Sequence, residues 1–280
     1  MNIAQALNIA QALNQAKALG LDHLEAQTLL LHALGRDPHD RAWLLLHDLD
    51  QPHPAALQLF NSLVQRRLQH EPIAYLTGVQ DFHGLRMRVD HRVLVPRPDT
   101  ETLVDWALAL ELPHDAHAID LGTGSGAVAL ALKHARPVWQ VRALDASPDA
   151  LVVAQANAQA LGLEVHFSAG HWLRNVQGPL DLIVSNPPYI AEADPHLPAL
   201  ASEPSMALVS GADGLDDIRQ IIAQAPSCLK AGGWLLLEHG FDQAAAVQQC
   251  LTQTGFVQVQ SRKDLAGIDR CTGGQWPEVK

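Results

Sequence analysis

The sequence has few cysteines and no long apolar run, and each shortage excludes a class of protein. The three cysteines, Cys228, Cys250 and Cys271, are odd in number and far apart, so neither a disulfide scaffold nor a structural zinc site is expected. No apolar run approaches the roughly 18 residues that span a bilayer, and the first residues lack the basic start and apolar block of a signal peptide. We therefore predict a reduced, cytoplasmic protein that does not enter a membrane.

Basic residues are also scarce. Nineteen Lys and Arg against thirty Asp and Glu give a net charge of −11. Because this charge repels phosphate backbones, we expect no direct nucleic-acid partner. Fifteen histidines are present, but none lies in a His-Glu-x-x-His pattern or near a cysteine, so no metal is predicted.

The 280 residues are enough for about two domains, and the pattern changes near residue 70. Before it, Gly20 and Gly35 end two predicted helices, and Asp22 with Glu25 has the spacing of a capping box. We predict an N-terminal all-α domain over residues 1–70. The near-repeat of Asn2 to Leu7 in Asn8 to Leu13 is interpreted as a local duplication without function.

Residues 71–98 are predicted to form a linker with a β-hairpin. Leu85, Met87 and Val89 alternate with polar residues, which is strand spacing, and residues 91–95 are expected to supply the partner strand. In residues 99–280, strands alternate with helices, which indicates an α/β fold with a doubly wound, mostly parallel sheet that binds ligands at the carboxyl ends of its strands. The predicted strand cores are residues 118–121, 141–144, 165–167, 182–185, 234–237 and 257–259.

A glycine-rich loop follows the first strand of this sheet, and glycines there let the backbone approach a ligand closely. Asp145 ends the second strand, where an acid commonly binds ribose hydroxyls; the alternative is that it only caps the next helix. A nicotinamide dinucleotide and S-adenosylmethionine both fit this pattern. Glycine at every second position directly after Asp120 favours S-adenosylmethionine. The loop residues are Gly122, Thr123, Gly124, Ser125 and Gly126.

A second motif, Asn186-Pro187-Pro188-Tyr189, follows the buried strand at residues 181–185. The prolines fix the backbone and push Asn186 to extended geometry, which makes a stiff platform. The Asn186 side-chain oxygen and the Pro187 carbonyl are expected to accept both hydrogens of one planar NH2 group, on which Tyr189 stacks. We therefore predict methyl transfer to an amide or arylamine nitrogen, with Asn186 and Tyr189 as the catalytic residues and the proton leaving to water.

Together these motifs resemble the HemK/PrmC protein-glutamine methyltransferases, over nearly all of residues 71–270. The family's Rossmann-like class I methyltransferase fold and its substrates are therefore implied for this chain. The implied reaction moves a methyl group from S-adenosylmethionine, leaving S-adenosylhomocysteine, to the glutamine of the Gly-Gly-Gln motif in class-1 peptide chain release factors. Further segments that carry the resemblance are Pro96-Arg97-Pro98-Asp99-Thr100-Glu101, Glu203-Pro204, residues 211–215 and residues 264–270.

The resemblance also implies roles for individual residues. Asn186 to Tyr189 would hold the target glutamine, and the helical domain would clamp the protein substrate. Asp99 stands where the family more often has glutamate. The implied cofactor contacts are Gly122, Thr123, Gly124, Ser125, Gly126, Asp145, Trp172 and Asn186.

Three other functions stay open. A nucleic-acid amino-methyltransferase shares the platform, but it is expected to show a basic face. A glutamine methyltransferase of a ribosomal protein is expected to depart from the segment at residues 96–101. A cofactor-binding module without activity would need neither Asn186 nor Tyr189.

Overall fold

The computed structural model describes residues 7–278, which form two compact units divided between Gly78 and Val79. No helix among these residues is long and apolar enough to cross a lipid bilayer. The domain limits predicted above, at residues 70 and 98, stay a prediction. The hairpin at residues 79–88 lies in the second unit.

The first unit is helical in all its described elements. Asn8 begins α1, because its side chain accepts the Gln11 amide at 2.8 Å while the Gln11 side chain accepts the Asn8 amide at 3.0 Å. Residues 2–6, most of the first repeat copy, lie outside the described residues. The helices are α1 (Ile9–Ala18), α2 (His23–Ala33), α3 (Arg41–Leu46), α4 (Pro54–Leu68) and the unpredicted α5 (Ile73–Thr77).

Helix α2 forms the centre of the first unit. Its residues Leu29, Leu30 and Leu31 are fully buried, and they share one core with Phe60 of α4. Asp22 caps the helix by accepting the Leu24 amide at 2.8 Å. By contrast, the leucines at the end of α3 and just after it face solvent. They are Leu45, Leu46 and Leu49, which are 74%, 81% and 77% exposed.

The second unit is an α/β layer structure, as predicted. Its strands are β1 (Val79–Phe82), β2 (Leu85–Arg88), β3 (His117–Leu121), β4 (Gln140–Asp145), β5 (His166–Ala169), β6 (Leu180–Ser185), β7 (Leu229–Glu238), β8 (Val257–Lys263) and β9 (Asp269–Gln275). Strands β1 and β2 form a separate hairpin. Within residues 79–278, the other seven form one sheet in the order β5-β4-β3-β6-β7-β9-β8, in which β9 runs antiparallel to the other six. The helices are α6 (Glu101–Ala109), α7 (Ala127–Ala135), α8 (Pro148–Leu161), α9 (Asp216–Gln224) and α10 (Ala244–Thr254).

The prediction that residues 91–95 supply the partner strand of the hairpin is wrong. Residues 91–95 form no strand, and β2 pairs instead with β1. His83 and Gly84 between the strands both have positive φ angles of 47° and 76°, the geometry of a tight two-residue hairpin turn. Just after β2, the Asp90 side chain accepts the Arg92 amide at 3.0 Å. This hydrogen bond forms a turn that ends the extended segment of β2.

Strand register brings the predicted site residues to one edge of the sheet. Leu121 of β3 pairs with Leu144 of β4, so the glycine loop begins beside Asp145. Leu121 also pairs with Ser185 of β6, which places Asn186 on the other side of the same loop. The direction of strand addition reverses between β3 and β6, and this point is where open α/β sheets bind ligands.

Candidate active site

The glycine loop is held in a conformation that only glycine adopts without strain. Gly122, Gly124 and Gly126 have φ angles of 66°, 56° and 85°. The loop is fastened to the end of β4, since the Thr123 amide donates to the Leu144 carbonyl at 3.0 Å and the Gly124 amide to an Asp145 oxygen at 2.8 Å. The backbone at this edge of the sheet is therefore preorganised.

Asp145 is a buried carboxylate between the loop and α8. Its second oxygen accepts the Ser147 amide at 2.8 Å. Burial raises the pKa of Asp145 above its usual value, although the backbone hydrogen bonds act in the opposite direction. Ser147, not Asp145, caps α8 by accepting the Ala150 amide at 3.2 Å, so the interpretation of Asp145 as only a helix cap is wrong.

Asp120 lies beneath the loop and holds it from below. Its Oδ2 accepts the Thr123 hydroxyl at 2.6 Å and the Ala129 amide at 3.2 Å. Burial raises its pKa to about 7, so a cation above the loop would favour the ionised form.

Trp172 lies directly against the glycine loop. Its indole N–H donates to Asp217 at 3.0 Å, which fixes the plane of the ring. A Cβ atom on Gly122 would lie 3.3 Å from the ring, so the glycine is what lets the two approach. Trp172 also lines the cavity that this loop borders.

Five of the eight predicted cofactor residues line a cavity of about 310 Å3, at the lower end of the usual range for small-molecule sites. Its lining includes Gly122, Gly124, Asp145, Trp172 and Asn186. Thr123 and Ser125 line a small adjoining recess with Asp120. Gly126 lies outside the lining of both and begins α7.

A second cavity of about 360 Å3 lies on the other side of Asn186. It is lined by Tyr189 and Arg97, and it shares Leu94, Asn186 and Ala207 with the first cavity. Asn186 therefore lies at the boundary between the two cavities.

The Asn186 amide is oriented by one hydrogen bond. Its Nδ2 donates to the Thr100 hydroxyl oxygen at 3.2 Å, which leaves the Oδ1 oxygen as a free acceptor. The next residues are held through their backbone, since the Tyr189 carbonyl accepts the Gln243 side chain at 2.9 Å. Gly214 packs so closely on that carbonyl that a Cβ there would lie 2.2 Å from its oxygen.

Glu238 contacts the platform, although no role for it was predicted from the sequence. It ends β7, and Ser185 of β6 pairs with Leu237, so Glu238 stands beside Asn186 at the sheet edge. The Tyr189 hydroxyl donates to its Oε1 at 3.4 Å. Burial raises the pKa of Glu238 to about 7, and burial together with this carboxylate raises that of Tyr189. The sequence signal by which Glu238 could have been found is an acid at the carboxyl end of a central strand.

Three ion pairs hold the surrounding loops. Arg97 pairs with the buried Glu203, whose other oxygen accepts the Val95 amide at 3.1 Å. Arg270 lies 3.2 Å from both Asp99 and Asp264. These pairs connect the segments that carry the family resemblance, and Asp99 has a partner of opposite charge although glutamate is the more common residue there.

Comparisons with known proteins agree with this geometry. Residues 5–78 match the PrmC N-terminal domain and residues 100–203 the Methyltransferase small domain. A release factor glutamine methyltransferase from Xylella fastidiosa is 47% identical over 92% of this chain and 94% of its own. One from Bordetella pertussis is 47% identical over 91% and 95%. A solved methyltransferase from Pyrococcus furiosus shares the fold, with a TM-score of 0.55 and 18% identity over 77% of this chain and 98% of its own.

The sequence identity is close to one half over nine tenths of both chains, and the methyltransferase fold and the platform motif are both present. These findings decide the family. The chain belongs to the release factor glutamine methyltransferase family.

Proposed function

We propose that this protein transfers a methyl group from S-adenosylmethionine to the side-chain amide nitrogen of the glutamine in the Gly-Gly-Gln motif of class-1 peptide chain release factors. The observation that supports this most is the orientation of the Asn186 amide. Because its Nδ2 is engaged by Thr100, its oxygen is the atom available to a substrate, and an oxygen accepts from an NH2 group.

The platform acts by orientation. An amide nitrogen is a poor nucleophile because its lone pair is delocalised into the carbonyl. Two acceptors, Asn186 Oδ1 and the Pro187 carbonyl, hold both N–H bonds to one side and so favour a nitrogen whose lone pair faces the neighbouring cavity. Asn186 does not titrate in the working range, so the displaced proton leaves to water. Tyr189 keeps its hydroxyl protonated and offers its ring to the flat amide.

The first cavity, of about 310 Å3, fits S-adenosylmethionine, which supplies an electrophilic methyl group on a sulfonium. The glycine loop lets the backbone approach a ligand closely, and Asp120 beneath it offers negative charge toward a ligand ammonium. Asp145 suits ribose hydroxyls, and Trp172 suits one face of an adenine. A dinucleotide would instead require room for a pyrophosphate along the loop.

The first test of this assignment is Asp145→Ala. Charge-assisted hydrogen bonds are worth roughly 1.5 to 3 kcal/mol, so S-adenosylmethionine affinity should fall about tenfold to a hundredfold. Calorimetry measures it, with Asp149→Ala as the matched control because Asp149 is an exposed acid of α8 outside the cavity. Tight NADH binding without S-adenosylmethionine binding would contradict the cofactor proposal.

We also propose that the helical unit supplies a docking surface for the release factor. A single glutamine is too small for selective capture, since stable protein contacts bury about 800 Å2 on each partner. The exposed leucines at residues 45, 46 and 49 are apolar surface of the kind that such contacts cover.

Replacing these three leucines by serine should raise KM for the release factor about tenfold or more, because apolar contact area is lost. The kcat value and S-adenosylmethionine affinity should stay unchanged, since the leucines lie outside the methyltransferase unit. Steady-state kinetics decides this, and an unchanged KM in the folded variant would show that the release factor docks elsewhere.

The reaction itself is tested with purified components. Methyl-labelled S-adenosylmethionine should deliver one methyl group to each class-1 release factor. Because release factors are the proposed substrate, we propose that the enzyme works in the cytoplasm. Label on free RNA with none on the release factor would favour the amino-methyltransferase of nucleic acids instead.

A further inference from the structure

The side chain of Gln243 ties three loops of the second unit together. Gln243 follows β7, directly precedes α10 and is half-buried. Its Oε1 accepts the Gly240 amide at 2.8 Å, and its Nε2 donates to the Tyr189 carbonyl at 2.9 Å. The same Nε2 also donates to the Asp213 carbonyl at 3.3 Å. Both polar atoms of the Gln243 side chain are therefore engaged by backbone groups.

The substrate platform at residues 186–189 needs a donor from outside. Its two prolines have no N–H, so they cannot fasten the segment through their own amides. At the start of the platform, the Asn186 Nδ2 donates to the Thr100 hydroxyl oxygen at 3.2 Å. At its end, Gln243 holds the Tyr189 carbonyl. Hydrogen bonds at both ends therefore fix the orientation of the groups between them.

The loop that carries Gly214 packs directly against the contact between Gln243 and Tyr189. Gly214 has a φ angle of 75°, and a Cβ atom there would lie 2.2 Å from the Tyr189 oxygen and 2.7 Å from the Gln243 Nε2. Arg219 holds this loop by donating to both carboxylate oxygens of Asp213, at 2.9 and 2.6 Å. The close packing therefore keeps the Gln243 donor against the Tyr189 carbonyl.

We propose that Gln243 is a positioning residue for methyl transfer, which acts through the Tyr189 backbone to hold the platform against the substrate amide. This inference rests on the proposed function. Asn186 and Tyr189 both line the second cavity, whereas Gln243 lines neither the first nor the second. Without the Gln243 donor, the Tyr189 carbonyl is released, and the Pro187 carbonyl two residues earlier moves with it. The two acceptors of the substrate NH2 group then lose their fixed spacing, and the chemical step slows.

The test removes the donor and keeps the shape of the side chain. Gln243→Glu retains an acceptor for the Gly240 amide but turns a second oxygen toward the Tyr189 and Asp213 carbonyls, so acceptors face acceptors. With the full-length enzyme and saturating S-adenosylmethionine, kcat for the release factor should fall about 10- to 100-fold. The KM for the release factor and the S-adenosylmethionine affinity should stay within about threefold of wild type, since Gln243 lies outside both the first cavity and the proposed docking leucines.

Gln248→Glu is the matched control on the same helix. Gln248 also donates a hydrogen bond, but its acceptor is the Ser261 hydroxyl of the edge strand β8, at 2.8 Å. A hydroxyl turns to donate to a carboxylate, so this control should keep kcat within about threefold of wild type. Gln243→Met removes the donor without adding charge and should lower kcat about tenfold. It decides the question by the same criteria where Gln243→Glu fails to fold.

Three results would overturn the inference while the wild-type enzyme methylates the release factor. The first is an unchanged kcat in the folded Gln243 variants. The second is an equal loss of kcat in Gln248→Glu, and the third is an S-adenosylmethionine affinity that falls in proportion to kcat; both would show that the substitutions only disturb the fold. A wild-type enzyme that leaves the release factor unmethylated contradicts the proposed function instead, and with it the role of Gln243.

Discussion

Asn186→Ala is expected to lower kcat by about 100-fold or more. The substitution removes one of the two acceptors that hold the substrate NH2 group, so the nitrogen rotates and its lone pair leaves the productive direction. It also leaves the Thr100 oxygen without the Nδ2 donor that it has at 3.2 Å. The cost falls on the chemical step because the lost contact orients the reacting atom.

Single-turnover kinetics with calorimetry separates this effect from weaker binding. S-adenosylmethionine affinity should fall less than about tenfold, because most of its cavity is lined by other residues. Tyr189→Phe and Tyr189→Ala form a matched pair on the same platform. The phenylalanine variant keeps the ring and should be the milder one. A kcat within a few-fold of wild type in Asn186→Ala would contradict the orientation mechanism.

The largest effect is expected from the substrate side. A release factor whose Gly-Gly-Gln glutamine is changed to glutamate should give no detectable product. A carboxylate has no N–H for Asn186 Oδ1 and the Pro187 carbonyl, and its negative charge is repelled by both oxygens. Methyl incorporation measured by mass spectrometry should therefore be absent even at long times.

The same variant factor has a second use, because the docking surface proposed on the helical unit is separate from the glutamine. It should still inhibit methylation of the wild-type factor, with an inhibition constant within about tenfold of KM. Methylated product from the glutamate factor would show that another residue accepts the methyl group. Loss of both product and inhibition would place nearly all recognition at the glutamine.

Much of the sheet could be predicted from the sequence because buried apolar strands separated by helices have few other solutions. Residues 118–121 and 182–185 lie in β3 and β6 as predicted. Strand β9 was missed because Gly273 and Gly274 lower strand propensity and hide its pattern. The hairpin partner was misplaced because His83 takes a left-handed conformation that is uncommon for residues other than glycine.

The candidate site was predictable to the extent that each motif follows a strand. Gly122, Asp145 and Asn186 meet because parallel strands end at one edge. The contacts from Asn186 to Thr100 and from Tyr189 to Glu238 were not predictable, since each joins side chains far apart in the sequence. Their parts come from a motif before α6, a loop after β6 and the last residue of β7, and only the packed fold shows that they touch.

We propose that the platform selects a glutamine amide of a release factor over the other planar NH2 groups, which belong to ribosomal proteins and RNA bases. The most direct measurement supplies the enzyme with methyl-labelled S-adenosylmethionine, an unmethylated class-1 release factor and intact ribosomes in one mixture. Fragment mass spectrometry then locates the label on the proteins, and nucleoside analysis locates it on the RNA. We expect the label on the side-chain nitrogen of the Gly-Gly-Gln glutamine. Label on a ribosomal protein or an RNA base, with the release factor unmodified, would contradict it.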